Sequence, residues 1–182
     1  MAHRLVNKDE FDIELVDNII SQLQRGKAAG LDTLAAEHLQ FSHPIVRSIL
    51  VKLFNAMMWA GTVPLSFGCS YTVPLIKLDV HARNLTTSDF RGISISSVIS
   101  KIFEHCILQR YKRYLGTSDN QFGFKSGLGC SHAINTVRCI VDRFVKCGST
   151  VNLCALDLSK AFDKMNHHAL FIKLTLHIRV MV

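Results

Sequence analysis

The chain has 182 residues, 48% hydrophobic and 19% charged, and its 21 Lys and Arg against 14 Asp and Glu give a formal charge of +7. That composition excludes a disordered polymer, allows one sizeable core, and makes a polyanion, nucleic acid first, the expected partner. The excess charge is concentrated, since residues 77–146 carry 11 basic and 5 acidic side chains. The six cysteines form no Cys-x-x-Cys pair and no zinc-like spacing with the nine histidines, which favours reduced thiols in an intracellular protein. Met1 to Glu10 hold no apolar signal core and no apolar run reaches membrane-spanning length. The expectation is a protein of the nucleus or cytoplasm, not secreted and without a membrane partner.

In chain order, Phe11, Leu15, Val16, Ile19, Ile20 and Leu23 recur at helical spacing, predicting a helix from Lys8 to Gln24 that ends at Gly26-Lys27-Ala28-Ala29-Gly30. Asp32 is placed as the cap of a short helix carrying Leu34, His38 and Leu39. Pro44 opens a stronger helix through Ile49, Leu53, Phe54, Met57 and Met58, stopped by Gly61. Ser70 to Lys77 alternates around Pro74 and reads as an edge strand. Phe90 to Ser94 reads as extended after a polar loop, and Ser97 as the cap of a helix running past Tyr111 to Gly116. A loop at Gln121 to Gly127 precedes a helix from about Ser131 to Cys147, with Ile134, Val137, Ile140, Val141 and Phe144 expected inward and Gly148 closing it. A last helix is expected near His167 to Ile178. The pattern is an α+β domain, helix-rich, whose sheet is incomplete within this chain.

Between the last two helices stands Leu153-Cys154-Ala155-Leu156-Asp157-Leu158-Ser159-Lys160-Ala161-Phe162-Asp163. Val151, Leu153, Ala155 and Asp157 share one face if the run is a strand, because side chains alternate with period two. A rigid strand ending in Asp suits a hard divalent cation, which takes oxygen ligands on short arms. The bland alternative is a strand-end carboxylate hydrogen-bonded to a turn. Asp163 lies past the turn and reads as a local cap or ion-pair partner. Gly26 to Gly30 lacks the Gly-Lys-Ser/Thr of a phosphate-binding loop, and Gly127-Leu128-Gly129 lacks the third glycine of a dinucleotide fingerprint.

Five segments in order resemble the reverse transcriptases of non-LTR (long interspersed) retrotransposons, over about Gly26 to Leu174. They are Gly26-Lys27-Ala28-Ala29-Gly30-Leu31-Asp32, Val73-Pro74-Leu75-Ile76-Lys77, Asp89-Phe90-Arg91-Gly92-Ile93-Ser94, Asn120-Gln121-Phe122-Gly123-Phe124-Lys125, and Ala155 to Asp163. The resemblance implies the fingers and the beginning of the palm of a right-hand polymerase. Residues 1–25 would be a helix leading in, with fingers over about 26–148 and the start of the palm over about 149–182. It implies RNA-templated DNA synthesis, with Asp157 a ligand of Mg²⁺ (or Mn²⁺) and Arg91 and Lys77 on the incoming triphosphate. Phe162 would exclude ribonucleotides by bulk, and Phe122, Phe124 and Lys125 would lie against template. The implied partners are an RNA template, a DNA primer and deoxynucleoside triphosphates.

The chain departs from the family pattern in places. Ala29 and Leu31 replace prolines, and Gly92 stands where the family usually has Pro, which should loosen a loop around Arg91. No Tyr-x-Asp-Asp occurs in the sequence. The expectation is therefore a truncated domain, inactive alone, because a two-metal centre needs carboxylates from separate segments. The alternatives are a non-catalytic nucleic-acid-binding remnant, a helical interaction module, or a pseudogene product.

Overall fold

The computed structural model describes residues 10–77, 85–158, 161 and 164–181. The chain divides into two compact units, Met1–Lys112 and Arg113–Val182. Described residues of the first form α1 (Ile13–Gln22), α2 (Ala36–Gln40), α3 (Ile45–Ala60), β1 (Ser70–Ile76), β2 (Phe90–Ser96) and α4 (Val98–Arg110). The second holds α5 (Cys130–Lys146) and α6 (His167–Met181). The coarse class is α+β.

The first unit is built around α1, which packs on α2, α3 and α4. Its amphipathic spacing turns Val16, Ile19 and Ile20 inward, where they meet Leu50, Phe54 and Met57 of α3 and Ile102, Phe103 and Cys106 of α4. Phe103 is the centre of an aromatic group, its ring 5.2 Å from Phe54 and 6.1 Å from both Phe11 and Phe67. Polar clamps fix the frame. Asn55 accepts from Phe11 N at 2.7 Å and donates to Phe11 O at 2.9 Å, tying the entry of α1 to α3. Gln40 Nε2 donates to Leu23 O and to Ile20 O, each at 3.0 Å, the latter also accepting from Leu23 N, and so ties the end of α1 to α2. Gly61 closes α3 in the left-handed conformation at φ 63°, as its sequence position predicts.

β1 and β2 form an antiparallel two-stranded ribbon in the register Tyr71 to Ile95, Val73 to Ile93 and Leu75 to Arg91. Lys77 N donates to Asp89 O at 2.9 Å, continuing the ladder past Ile76. The hydrogen-bonded pairs are therefore 77/89, 75/91 and 73/93, and Pro74 falls at a non-hydrogen-bonded pair where its missing N–H costs no ladder bond.

Four expectations are corrected here. Asp32 does not cap α2, whose preceding residue is Ala35, with His38 Nδ1 accepting from Ala35 N at 3.0 Å. Residues 151–158 adopt no regular structure. Alternation alone does not make a strand; a partner must accept its backbone bonds, and the described strands pair only with each other. The face of α5 expected inward is largely exposed, with Ile134 at 67% and Val137, Ile140 and Phe144 near half. Among the described residues no side chain beyond Cys106 is buried. The helix after Ser97 also ends earlier than expected, at Arg110.

Candidate functional site

The ribbon carries the two basic positions singled out in the sequence. Residues 75 and 77 lie on one face of β1 and its extension, opposite 91 and 89, because side chains alternate along each strand. Lys77 and Arg91 are thus diagonal neighbours on the same face, both exposed, at the open end of the ribbon. Asp89 shares that face. Its carboxylate accepts from Thr86 N at 2.7 Å and Thr86 Oγ1 at 2.8 Å. Those bonds, the backbone one foremost, hold its carboxyl below the ordinary aspartate value, and the charge of Lys77 adds to the effect. The face thus carries two cations, Lys77 and Arg91, against the one carboxylate of Asp89, and is net positive.

Gly92 is not in a loop. It lies within β2 opposite Pro74, and a Cβ there would meet Thr72 Cγ2 at 3.0 Å. Thr72 Oγ1 and Ser94 Oγ are 3.0 Å apart across the same face, as expected for side chains of a non-hydrogen-bonded pair. The position expected in a loop is instead paired within the ribbon, between Arg91 opposite Leu75 and Ile93 opposite Val73.

A second arrangement was not assigned a role from the sequence. The Gly26 to Asp32 loop is fastened to the corner between β2 and α4. Gly30 lies so close that a Cβ would fall 2.9 Å from Ser96 C, Ser96 O and Ser97 Cα. Ser97 Oγ donates to Asp32 Oδ2 at 2.5 Å, and Tyr71 Oη donates to Ala29 O at 3.0 Å. Gly26 N donates to Glu37 Oε1 at 2.6 Å, which is the main reason that the Glu37 carboxyl lies below its ordinary value. No local signal announces these ties, since Asp32 and Ser97 are 65 residues apart.

In the second unit, the block at Asn120 to Gly127 is a turn. Phe122 is half-buried, while Phe124 is 93% exposed in the left-handed region at φ 58°. Few non-glycine residues occupy that region. Lys125 Nζ donates to Ser118 O at 2.7 Å, so its ammonium fastens the turn. Asp157 is exposed in an irregular segment and borders a cavity of about 320 Å³ together with Leu158, Ala161 and Lys164. Phe162 and Asp163 lie outside the described residues.

A divalent ion would need several oxygen ligands around it. Among the described residues no three His, Cys, Asp or Glu side chains gather at one point. The charged neighbour lining the Asp157 cavity is the Lys164 cation. The described residues therefore do not form a metal centre.

No protein-family model matches the chain. Similarity appears to two proteins of mobile elements. One is the retrovirus-related Pol polyprotein from the type-2 retrotransposable element R2DM of Drosophila melanogaster, 27% identical over 123 residues, covering 68% of this chain and 11% of that protein. The other is the RNA-directed DNA polymerase from mobile element jockey of Drosophila funebris, 24% identical over 173 residues, covering 91% of this chain and 18% of that protein. The chain thus spans less than a fifth of the length of either. Among the described residues no helix is long and apolar enough to cross a membrane. Both of these homologues are proteins of non-LTR retrotransposable elements, similar to this chain at low identity.

Proposed function

We propose that this chain is a fingers-and-palm segment of an RNA-directed DNA polymerase, and that the ribbon face carrying Lys77 and Arg91 receives the phosphates of the incoming deoxynucleoside triphosphate. The observation that carries this reading is the register, which sets two cations from separate strands on one exposed face. Arg91 offers a planar fork that matches phosphate oxygens, and Lys77 a mobile point charge beside it. Fingers would span about 26–148 and the start of the palm about 149–182, with 1–25 as the entering helix. Phe162 would stand beneath the sugar, and the turn of Phe122, Phe124 and Lys125 would face an RNA template paired with a DNA primer. Asp157 would serve as one carboxylate ligand of Mg²⁺ or Mn²⁺. One carboxylate does not hold a two-ion centre, and no Tyr-x-Asp-Asp occurs in the sequence.

The test is titration of a fluorescent deoxynucleoside triphosphate into the 182-residue chain, followed by anisotropy. Arg91→Ala should weaken binding by roughly tenfold or more, the worth of a charge-assisted bond. Lys77→Ala should weaken it less, and Arg91→Lys should recover only part. Equal binding by the native chain and Arg91→Ala would sink the reading.

A further inference from the structure

A small cavity of about 110 Å³ lies between the Gly26 to Asp32 loop and the first turn of α4. Lys27 and Lys101 both line it, brought together from positions 74 apart in sequence, and no carboxylate does. Lys101 is half-buried and Lys27 exposed. Among the described residues neither ammonium has a hydrogen-bond or ion-pair partner. The carboxylates of Glu37 and Asp32, bonded to Gly26 N and to Ser97 Oγ and Leu34 N, do not line it. A shared anion would stabilise two unpaired cations that line one cavity. The remaining wall is mostly apolar, with Gln24 and Ser96 as its polar side chains, so the two lysines at its edge are its charged groups.

The cavity is far smaller than the several hundred cubic ångströms that a nucleoside or comparable ligand fills, and its size suits one phosphate group. We propose that Lys27 and Lys101 clamp a single backbone phosphate of a bound nucleic-acid strand, at a place separate from the Arg91 ribbon face. The choice of nucleic acid as the source of the phosphate rests on the polymerase reading above. The loop is suited to the task because it is held on both sides of Lys27, by Glu37 at Gly26 and by Tyr71 at Ala29. Lys27 is therefore presented from a fixed backbone, so a phosphate need order only its side chain.

The experiment measures anisotropy of a short fluorescein-labelled single-stranded RNA with the full 182-residue chain across a potassium chloride series. Lys27→Gln and Lys101→Gln should each lower affinity about threefold to tenfold, and the two together should reduce the salt slope by about 0.7, the value for one phosphate contact on a single strand. Lys27→Arg should restore the slope, which separates lost contact from lost folding, and circular dichroism of each variant checks the helices. Lys52→Gln, on the exposed side of α3, is the control for general charge. Unchanged slopes at Lys27 and Lys101, or an equal loss at Lys52, would overturn the clamp while leaving RNA binding, and with it the polymerase reading, intact. Amide shifts at Val98 and Lys101 on adding inorganic phosphate, with RNA affinity unmoved by both variants, would mark a free-phosphate site and likewise overturn it. Failure of the native chain to bind RNA even at low salt would overturn both readings together.

Discussion

Ser97 Oγ donates to Asp32 Oδ2 at 2.5 Å while accepting from Ile99 N at 3.2 Å, so one hydroxyl caps α4 and fastens a loop 65 residues upstream. Ser97→Ala removes both bonds, and the expected cost is about 1–2 kcal/mol, the usual range for a lost serine cap. Asp32→Asn should cost less, because its single amide oxygen can still accept one of the two bonds that the separate carboxylate oxygens take from Ser97 Oγ and Leu34 N. Urea unfolding would report this as a lower midpoint at unchanged slope. A Ser97→Ala midpoint equal to the native one would show that the tie is incidental.

Gly30 makes the same junction steric. Its absent Cβ would lie 2.9 Å from backbone atoms of Ser96 and Ser97, which have no rotamer to yield. Gly30→Ala should destabilise by about 1–3 kcal/mol, the range for overpacking. Gly116→Ala, where nothing lies within 4 Å, is the comparison and should leave the thermal midpoint nearly unmoved. If both variants melt alike, the close approach does not matter.

The elements that were legible in the sequence are those set by local pattern. The α1 stripe of Val16, Ile19 and Ile20, the Gly61 stop of α3, the Ser97 cap and the α5 boundaries all depend on residues within a turn or two of each other. What was not legible depends on partners distant in sequence. Leu153 to Asp157 alternates as a strand should, yet Leu156 is 90% exposed, because no described strand stands beside it. Asp32 looked like a helix cap because its true partner, Ser97, is on another element. Lys77 and Arg91 were each recognisable from a motif, but only the β1–β2 register sets them on one face.

The α5 stripe gives this a measurable form. Ile140 and Phe144 are one turn apart and each about half exposed. Ile140→Lys with Phe144→Lys should change the unfolding free energy of this chain by no more than about 0.5 kcal/mol, as for surface sites, while reducing binding of a hydrophobic dye. A loss of several kcal/mol, against that estimate for exposed positions, would mean that the stripe is buried in solution.

Glu37 makes the loop acid-sensitive. The Gly26 N–H donated to its carboxylate favours the charged form and lowers its pKa, so the contribution is present above the unfolded-state value and is lost as pH falls through the lower folded value. Acid should therefore expose the Gly26 amide to hydrogen exchange before α3 opens. Glu37→Gln keeps an acceptor without the titration and should remove that pH dependence. If Gly26 exchanges with the same acid profile in both proteins, some other group controls the loop.

Cys106 provides the complementary alkaline limit. It is fully buried between α1 and α4, and desolvation first, then the negative charge of Asp12, pushes its thiol up to about 11. A pKa raised on folding means that the neutral thiol stabilises the native state at all pH below the ordinary cysteine value, and that this contribution is lost as pH climbs through the folded value. At neutral pH the thiolate needed for alkylation is nearly absent, and the side chain is out of reach. Cys69, Cys130, Cys139, Cys147 and Cys154 are all exposed, so a maleimide should label those five in the native chain and reach Cys106 only in denaturant. Cys106→Ser would place a hydroxyl among Val16, Ile20 and Ile102 and should cost about 1–3 kcal/mol, the mutational range for a buried polar group without a partner. Native labelling of Cys106 at the rate of the other five would show that the α1–α4 interface opens readily, and the packing described for the first unit would have to be abandoned.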